Sequence, residues 1–243
     1  MTRAPPRAIL LMLIGILAAA IIGIGAVRRA PAPLPPRPLE LRPVLLFLSS
    51  LPLLFDEDFT ISGGGSAAVR RLETRYRLVP ISVTGVSELA KGHVLLMAHP
   101  PAQTPENLVA LDEWVRQGGK LVLLADPLLE WPSKRPLGDS LRPPPMFMDT
   151  GLLGHWGIRL DAPDGRGPVS RRLGGYTIET DSPGSLLGRC EISGDRLIAH
   201  CRIGKGTATI IADADLLDAD RLGSRAKHNL DGLLEELAKV ESR

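Results

Sequence analysis

The chain has 243 residues, of which 44% are hydrophobic and 4% aromatic, and its formal net charge is +2. This length suits one domain of ordinary size with some additional chain. The nearly neutral charge, and the lack of basic runs with interleaved aromatic residues, argue against a nucleic-acid partner.

One long apolar segment lies near the N-terminus. Residues 8–27 read AILLMLIGILAAAIIGIGAV and contain no charged or strongly polar side chain. At about 1.5 Å per residue, such a helix spans roughly 30 Å, the thickness of a bilayer hydrocarbon core. We therefore predict a transmembrane anchor within residues 1–28, which makes the lipid bilayer a partner through residues 8–27. A cleaved signal peptide is the alternative, because Gly23, Gly25 and Ala26 offer small residues near its end.

Positive charges flank this anchor on both sides. Arg3 and Arg7 precede it, and Arg28 and Arg29 follow it. The positive-inside rule therefore selects neither orientation, and the side of the membrane that the rest of the chain faces stays open.

The segment after the anchor is rich in proline. Residues 30–43 read APAPLPPRPLELRP, and proline at this density fits neither a helix interior nor a central strand. We predict a semi-rigid linker over residues 29–43, with a length of about 3 Å per residue.

Residues 44–243 alternate short aliphatic runs with helical patterns. In the clearest unit, Thr104 caps a helix that begins at Pro105, Gly118 and Gly119 end it, and a strand covers residues 120–125. Buried strands joined by crossover helices predict a mostly parallel sheet with helices on both faces, an α/β fold. The other predicted strands are 44–48, 78–83, 94–98 and 207–212, and the other predicted helices are 66–77, 148–156 and 227–240. We expect a loop-rich insertion over residues 128–175.

Two cysteines lie in a predicted hairpin with strands 188–193 and 196–203. A two-residue turn at Gly194 and Asp195 suits this hairpin, and that register places Cys190, Ile192, Leu197, Ala199 and Cys201 on one face. The two cysteines then lie diagonally across the strand pair. A Cys190–Cys201 disulfide in an oxidising compartment and two buried thiols both stay open, because a diagonal pair is poor disulfide geometry.

Three segments resemble a known family: VLLMAHPPAQTPENLVALDEWVRQGGKLVLLADP, RIGKGTATIIADADLLDAD and HNLDGLLEEL. They are similar to the gliding-motility and ABC-transport-system accessory proteins, over residues 43–237. The resemblance implies a flavodoxin-like domain of the class I glutamine amidotransferase type. It also implies a single-pass protein of the bacterial inner membrane, whose domain faces the periplasm beside a transporter permease or a similar membrane protein.

Amidotransferases of this class place a nucleophilic cysteine on a tight turn after a strand and activate it with a histidine. The matching position here is Asp126-Pro127, which supplies neither cysteine nor serine. Cys190 and Cys201 fall inside hairpin strands, and no acid lies two residues after His228. We therefore expect no acyl-transfer enzyme, and we assign no catalytic residue, cofactor or metal.

His99, Asp126, Asp213 and Asp215 each follow a predicted parallel strand, where open α/β sheets bind ligands. If the strands are neighbours, the carboxylates share one mouth and are able to hold a cation. Aspartates at such positions also serve as helix caps and turn residues. These four residues form our candidate ligand edge. The alternative is that the aspartates serve only as caps and turn residues.

The sequence thus predicts a non-catalytic, membrane-tethered accessory or interaction domain, most simply of an ABC-type transport system. Two alternatives stay open. One is a binding domain for a small polar, sugar-like ligand, and the other is a divergent carboxylate-dependent hydrolase.

Overall fold

A computed structural model of the chain describes residues 31–55 and 65–242. The predicted anchor at residues 8–27 lies outside the described residues. Among the residues that are described, no helix is long and apolar enough to cross a bilayer. Ala32–Arg243 form one compact unit.

The regular elements alternate between strands and helices along the first half of this unit, and strands dominate the second half. The strands are β1 Val44–Ser49, β2 Arg77–Pro80, β3 Val94–Ala98, β4 Lys120–Leu124, β5 Ile158–Asp161, β6 Pro168–Leu173, β7 Tyr176–Asp181, β8 Ser185–Gly188, β9 Glu191–Ile192, β10 Ile198–Ile203 and β11 Gly206–Ile211. The helices are α1 Ala67–Glu73, α2 Val86–Leu89, α3 Pro105–Arg116, α4 Leu152–His155, α5 Ala219–Leu222 and α6 Asn229–Ser242.

The central sheet has the strand order β2-β1-β3-β4-β11-β10-β9. Its first five strands are parallel to one another, while β10 pairs antiparallel with both β11 and β9. Two small antiparallel sheets, β5-β8 and β6-β7, complete the fold. The predicted mixed α/β architecture with a mostly parallel sheet is therefore confirmed.

Local chemistry explains the best-predicted element, α3. The Thr104 hydroxyl accepts a hydrogen bond from the Asn107 N–H at 3.4 Å, and Pro105 opens the helix. Gly118 then adopts a φ of +120°, which favours glycine. A Cβ on Gly119 would collide with the Trp114 ring, so only glycine allows this close return into β4.

Strand side chains alternate between two apolar layers, one on each face of the sheet. Leu45 and Phe47 belong to the layer that includes residues of α1 and α6. Leu46 and Leu48 belong to the layer that includes residues of α2, α3 and α4. Helices thus cover both faces, as predicted.

The expected loop-rich insertion at residues 128–175 is more ordered than its composition suggested. It contains α4, β5 and β6, and α4 is shorter than the helix predicted at 148–156. The following β7 was also not predicted, although Tyr176 and Ile178 lie fully buried in the core. The strand predicted at 78–83 spans Arg77–Pro80 instead.

The cysteine hairpin has a different register from the predicted one. Ala199 pairs with Ile192 and His200 with Glu191, so Cys201 lies opposite Cys190 rather than diagonal to it. The connection is longer than two residues, since the Ser193 N–H donates to the Ile198 carbonyl at 2.9 Å.

The Cys190–Cys201 disulfide is present, with a Cα–Cα distance of 4.8 Å. Leu197 belongs to the opposite apolar layer from the cysteines, which corrects its predicted face.

Part of the proline-rich segment lies against the domain. Leu34 packs on the core layer that contains α1 and α6, and the Arg37 N–H donates to the Thr74 carbonyl at 2.9 Å. The Arg37 guanidinium also pairs with Glu241 at 3.0 Å. From Leu34 onward the chain is therefore attached to the surface of the domain.

Candidate functional site

Three aspartates meet at the carboxyl edge of the central sheet. Leu124 of β4 pairs with Ile211 of β11, so Asp126 and Asp213 leave neighbouring parallel strands at the same edge. Asp215 follows at the start of a short 3-10 turn. All three side chains are 0% exposed, and one carboxylate oxygen from each lies within 4.8 Å of the others.

Asp126 binds the backbone of two segments. One oxygen, Oδ1, accepts from the Leu128 N–H at 2.8 Å. The other, Oδ2, accepts from the N–H groups of Ala214 at 2.9 Å and Asp215 at 3.4 Å. Burial raises the pKa of Asp126 to about 6, and the hydrogen bond from Ala214 partly offsets this. The side chain thus joins the ends of β4 and β11.

Asp213 is held by a residue of the small β6-β7 sheet. The Thr180 hydroxyl lies 2.7 and 2.8 Å from its two oxygens, and the Leu216 N–H donates to Oδ2 at 3.1 Å. Burial raises the pKa of Asp213 well above its usual value, and the charges of Asp126 and Asp215 raise it further. Burial and the two neighbouring carboxylates therefore all favour the protonated form of Asp213.

Asp215 is only partly satisfied. Its Oδ2 accepts from the Glu130 N–H at 2.8 Å, whereas its buried Oδ1 has no hydrogen-bond partner among the described residues. The nearest cationic group to Oδ1 is Nη2 of Arg221 at 3.8 Å. That guanidinium is shared with Asp181 at 2.8 Å and Asp218 at 2.6 Å. Burial, and then the charge of Asp126, raise the pKa of Asp215 to about 7.

These contacts limit what the cluster is able to do. Three carboxylates this close do not all ionise in a buried site, so protons or a cation must offset their mutual repulsion. If protons offset the repulsion, the carboxyl groups connect the loops through hydrogen bonds. With a cation, oxygen ligands of this kind suit Mg²⁺ or Ca²⁺.

His99, the fourth residue of the predicted edge, is bound elsewhere. Its ring nitrogen Nε2 lies 2.9 Å from the Pro144 carbonyl, which can only accept, so Nε2 carries a proton and donates. The side chain is 0% exposed, and burial lowers its pKa to about 4. It is therefore a neutral imidazole that attaches the loop after β4 to the end of β3. The structure brings the three aspartates together and gives His99 a separate role.

Sequence reasoning missed the polar residues that surround the cluster. Thr180 and Arg221 contact the aspartates, as described above, and Ser182 donates to Oε1 of Glu130 at 2.6 Å. Ser182 also adopts a φ of +47°, which is uncommon outside glycine. The alternation of Tyr176, Ile178 and Thr180 was the available signal, since it predicts a strand ending near this site.

No protein-family model matches the chain, and no curated protein matches its sequence. Among solved structures, a cytoplasmic protein from Salmonella typhimurium matches with a TM-score of 0.51 and 12% sequence identity. The match covers 81% of this chain and 98% of the Salmonella chain. An exo-β-1,4-mannosidase from Opitutaceae bacterium strain TAV5 has a TM-score of 0.47 and 13% identity, covering 93% of this chain. The chain spans only 38% of that mannosidase.

A protein described as ThuA-like, from Bacteroides uniformis, has a TM-score of 0.44 and 11% identity, covering 88% of this chain and 97% of its own. Identities this low bear on the fold alone. The Salmonella protein shares the mixed α/β fold with its mostly parallel sheet.

Proposed function

We propose that this chain is a non-catalytic binding domain, tethered to the bacterial inner membrane, that works beside a membrane protein of an ABC-type transport system. We also propose that its fold is a flavodoxin-like arrangement of the class I glutamine amidotransferase type. The observation that carries the proposal is the position and bonding of Asp126.

Asp126 occupies the position that matches the nucleophile of the amidotransferases that this sequence resembles. A nucleophile must present a reactive atom to its substrate and have a base beside it. Asp126 is 0% exposed, and both of its oxygens accept backbone N–H groups. These contacts suit a residue that links two backbone segments by hydrogen bonds. The geometry therefore favours a domain that binds rather than one that catalyses acyl transfer.

The disulfide supports the periplasmic side for this domain. Disulfides form and persist in oxidising compartments such as the periplasm and are rare in the cytosol. The Cys190–Cys201 bond joins the residue before the edge strand β9 to β10. With residues 8–27 as an uncleaved anchor, a single-pass protein with its domain outside the cytoplasm satisfies both features.

Capture from native membranes tests the accessory role. The full chain would be cross-linked in its own host, purified through a C-terminal tag, and its partners identified by mass spectrometry. We expect the permease or the ATPase of an ABC transport system, absent when an unrelated single-pass protein carries the tag. Recovery of no transporter component would contradict the proposal.

Reporter fusions after Arg243 test the orientation independently. We expect activity from alkaline phosphatase, which needs an oxidising compartment, and none from a reporter that works only in the cytoplasm. The reverse pattern would contradict the periplasmic assignment and leave the binding role to be tested on its own.

A second candidate function is a carboxylate-dependent hydrolase, and one observation favours it. Asp126, Asp213 and Asp215 bring one oxygen each within 4.8 Å of the others, and raised carboxyl pKa values are common at catalytic sites. Ester and phosphoester hydrolysis by the purified full chain, with and without Mg²⁺, tests it. Activity that is lost in Asp213→Asn would support the hydrolase over the binding domain.

The third function considered, a binding domain for a small polar ligand at this edge, gains no such support. His99 and the three aspartates are all 0% exposed, so these side chains present no surface to a sugar-like ligand, and the same burial weighs against hydrolysis of an external substrate by the three carboxylates.

A further inference from the structure

Two leucines stand in solvent where the described chain enters the domain. Leu39 is 72% exposed and Leu41 is 69% exposed, and both belong to the 3-10 turn Leu39–Leu41. Exposed apolar side chains placed singly are ordinary, whereas two within one short turn form a small apolar feature. We call this turn, together with Arg42 and Arg77, the entry surface.

The entry surface is held in place by the domain. On one side of the turn, the Arg37 N–H donates to the Thr74 carbonyl at 2.9 Å. On the other side, the Arg77 N–H donates to the Pro43 carbonyl at 2.9 Å, at the start of the β1-β2 pair. The leucines are therefore presented by a fixed backbone at the amino edge of the sheet, opposite the carboxyl edge where the three aspartates lie.

Two arginines lie close to the leucines along the backbone, since Arg42 directly follows the turn and the Arg77 N–H is bonded to the Pro43 carbonyl. Neither Arg42 nor Arg77 forms an ion pair within the described part of the chain, and the only side-chain hydrogen bond of Arg42 runs from Nε to the Arg37 carbonyl at 3.0 Å. Glu40, in the same turn, is exposed. Leucines flanked by guanidinium groups match the layered chemistry of a bilayer surface, where acyl chains lie beneath phosphate groups.

The length of chain before the entry surface restricts what it is able to reach. The anchor predicted at residues 8–27 ends at Val27, and the chain is attached to the domain from Leu34 onward. Residues 28–33 lie between them and read RRAPAP, with prolines at positions 31 and 33. Six residues reach at most roughly 20 Å even when fully extended. The headgroup layer adds several ångströms to each side of the hydrocarbon core, so the entry surface lies within reach of it.

We propose that the entry surface contacts the same bilayer that holds the anchor, with Leu39 and Leu41 in the headgroup layer and Arg42 and Arg77 at lipid phosphates. This inference rests on the membrane anchor of the proposed function. It adds that the domain rests on the membrane by its amino edge, which leaves the opposite edge and the helical faces open to a partner.

A fluorescent probe tests this contact in the full chain. The protein would be reconstituted in vesicles of phosphatidylcholine and phosphatidylglycerol, with an environment-sensitive dye on Leu41→Cys. Because Cys190 and Cys201 are bonded to each other, the introduced thiol is the only one that reacts. Val109→Cys on α3 is the matched control, since Val109 is also 69% exposed.

We expect the dye at position 41 to shift its emission to shorter wavelength and to lose intensity when the lipids carry a quencher, while the dye at position 109 does neither. The double variant Arg42→Glu, Arg77→Glu should reduce the quenching at position 41. Equal, water-like emission at both positions would overturn the inference.

Flotation of the vesicles separates the two possible failures. If the protein does not float with the vesicles, the anchor and the proposed function fail together. If it floats but the dye at position 41 stays in water, the anchor stands and the contact by the entry surface is wrong.

Discussion

Oδ2 of Asp126 accepts a hydrogen bond from the Ala214 N–H at 2.9 Å, so a side chain that follows β4 holds the backbone that follows β11. The strands are neighbours in the sheet, and this bond continues their pairing beyond the last ladder residues. The other N–H groups bound by Asp126 belong to Leu128 and Asp215.

Removal of this carboxyl group should destabilise the domain. Asp126→Ala leaves buried N–H groups without an acceptor, and each such loss costs about 1–3 kcal/mol. We expect a decrease of roughly 2–4 kcal/mol in the free energy of unfolding, measured by urea denaturation. Asp164→Ala is the control, because Asp164 is exposed, and it should change stability by less than about 0.5 kcal/mol. Similarly small changes in the free energy of unfolding of both variants would show that the hydrogen bonds of Asp126 do not stabilise the domain.

Stability should fall as the pH rises through the range in which the aspartates titrate. The pKa of Asp126 is raised to about 6 and that of Asp215 to about 7, whereas an unfolded aspartate has a pKa of about 4. The folded state therefore binds more protons than the unfolded state between these values, and stability declines with pH there.

We expect the contribution of Asp126 and Asp215 to the free energy of unfolding to be greatest below about pH 4, to fall as the pH rises to about 7, and then to level off. Urea denaturation at a series of pH values measures this. Asp213→Asn, which removes one of the three interacting charges, should flatten the decline. A stability that increases from pH 4 to pH 7 would contradict the raised pKa values.

Elements with strong local signals were predictable from the sequence, because their causes lie within a few residues. Thr104, Pro105 and the two glycines after Gln117 define the ends of α3, and the structure places the helix at Pro105–Arg116. The shared edge of Asp126 and Asp213 was also predictable, since both follow parallel strands, on the condition that β4 and β11 are neighbours.

The surroundings of the aspartates were not predictable in the same way. Thr180 reaches Asp213 because β7 packs against α6, a contact between distant parts of the chain. Arg221 pairs with Asp181 across 40 residues. The register of Cys190 and Cys201 depended on the loop after Ser193, whose conformation includes Arg196 at a φ of +58°. Such features follow from tertiary packing and loop geometry, which short sequence patterns do not specify.

A divalent cation should stabilise the domain at alkaline pH if the three aspartates bind one. Above about pH 7 Asp126 and Asp215 lose their protons, and a cation is then favoured because it neutralises the repulsion between these carboxylates. We expect millimolar Mg²⁺ or Ca²⁺ to raise the melting temperature at pH 8 and to have little effect at pH 5. Asp215→Asn should abolish the increase, whereas Asp164→Ala should retain it. Equal melting temperatures with and without cation at pH 8 would favour protons as the only neutralising species.

Loss of the disulfide should weaken the domain without unfolding it. The bond closes a loop between residues 11 positions apart, and loop-closure entropy gives such a cross-link about 3 kcal/mol of stabilisation. We expect the variant Cys190→Ser, Cys201→Ser to lose roughly that amount in urea denaturation.

Reducing agent provides the matched control for this prediction. It should bring the native chain to the stability of the double variant and leave the double variant unchanged, because no other cysteine exists in the sequence. If the native chain keeps its full stability under reduction, the bond contributes nothing to the fold and no longer supports an oxidising compartment for the domain. If the two converge, the bond is part of the stable native structure, as a protein exposed to the periplasm would maintain it.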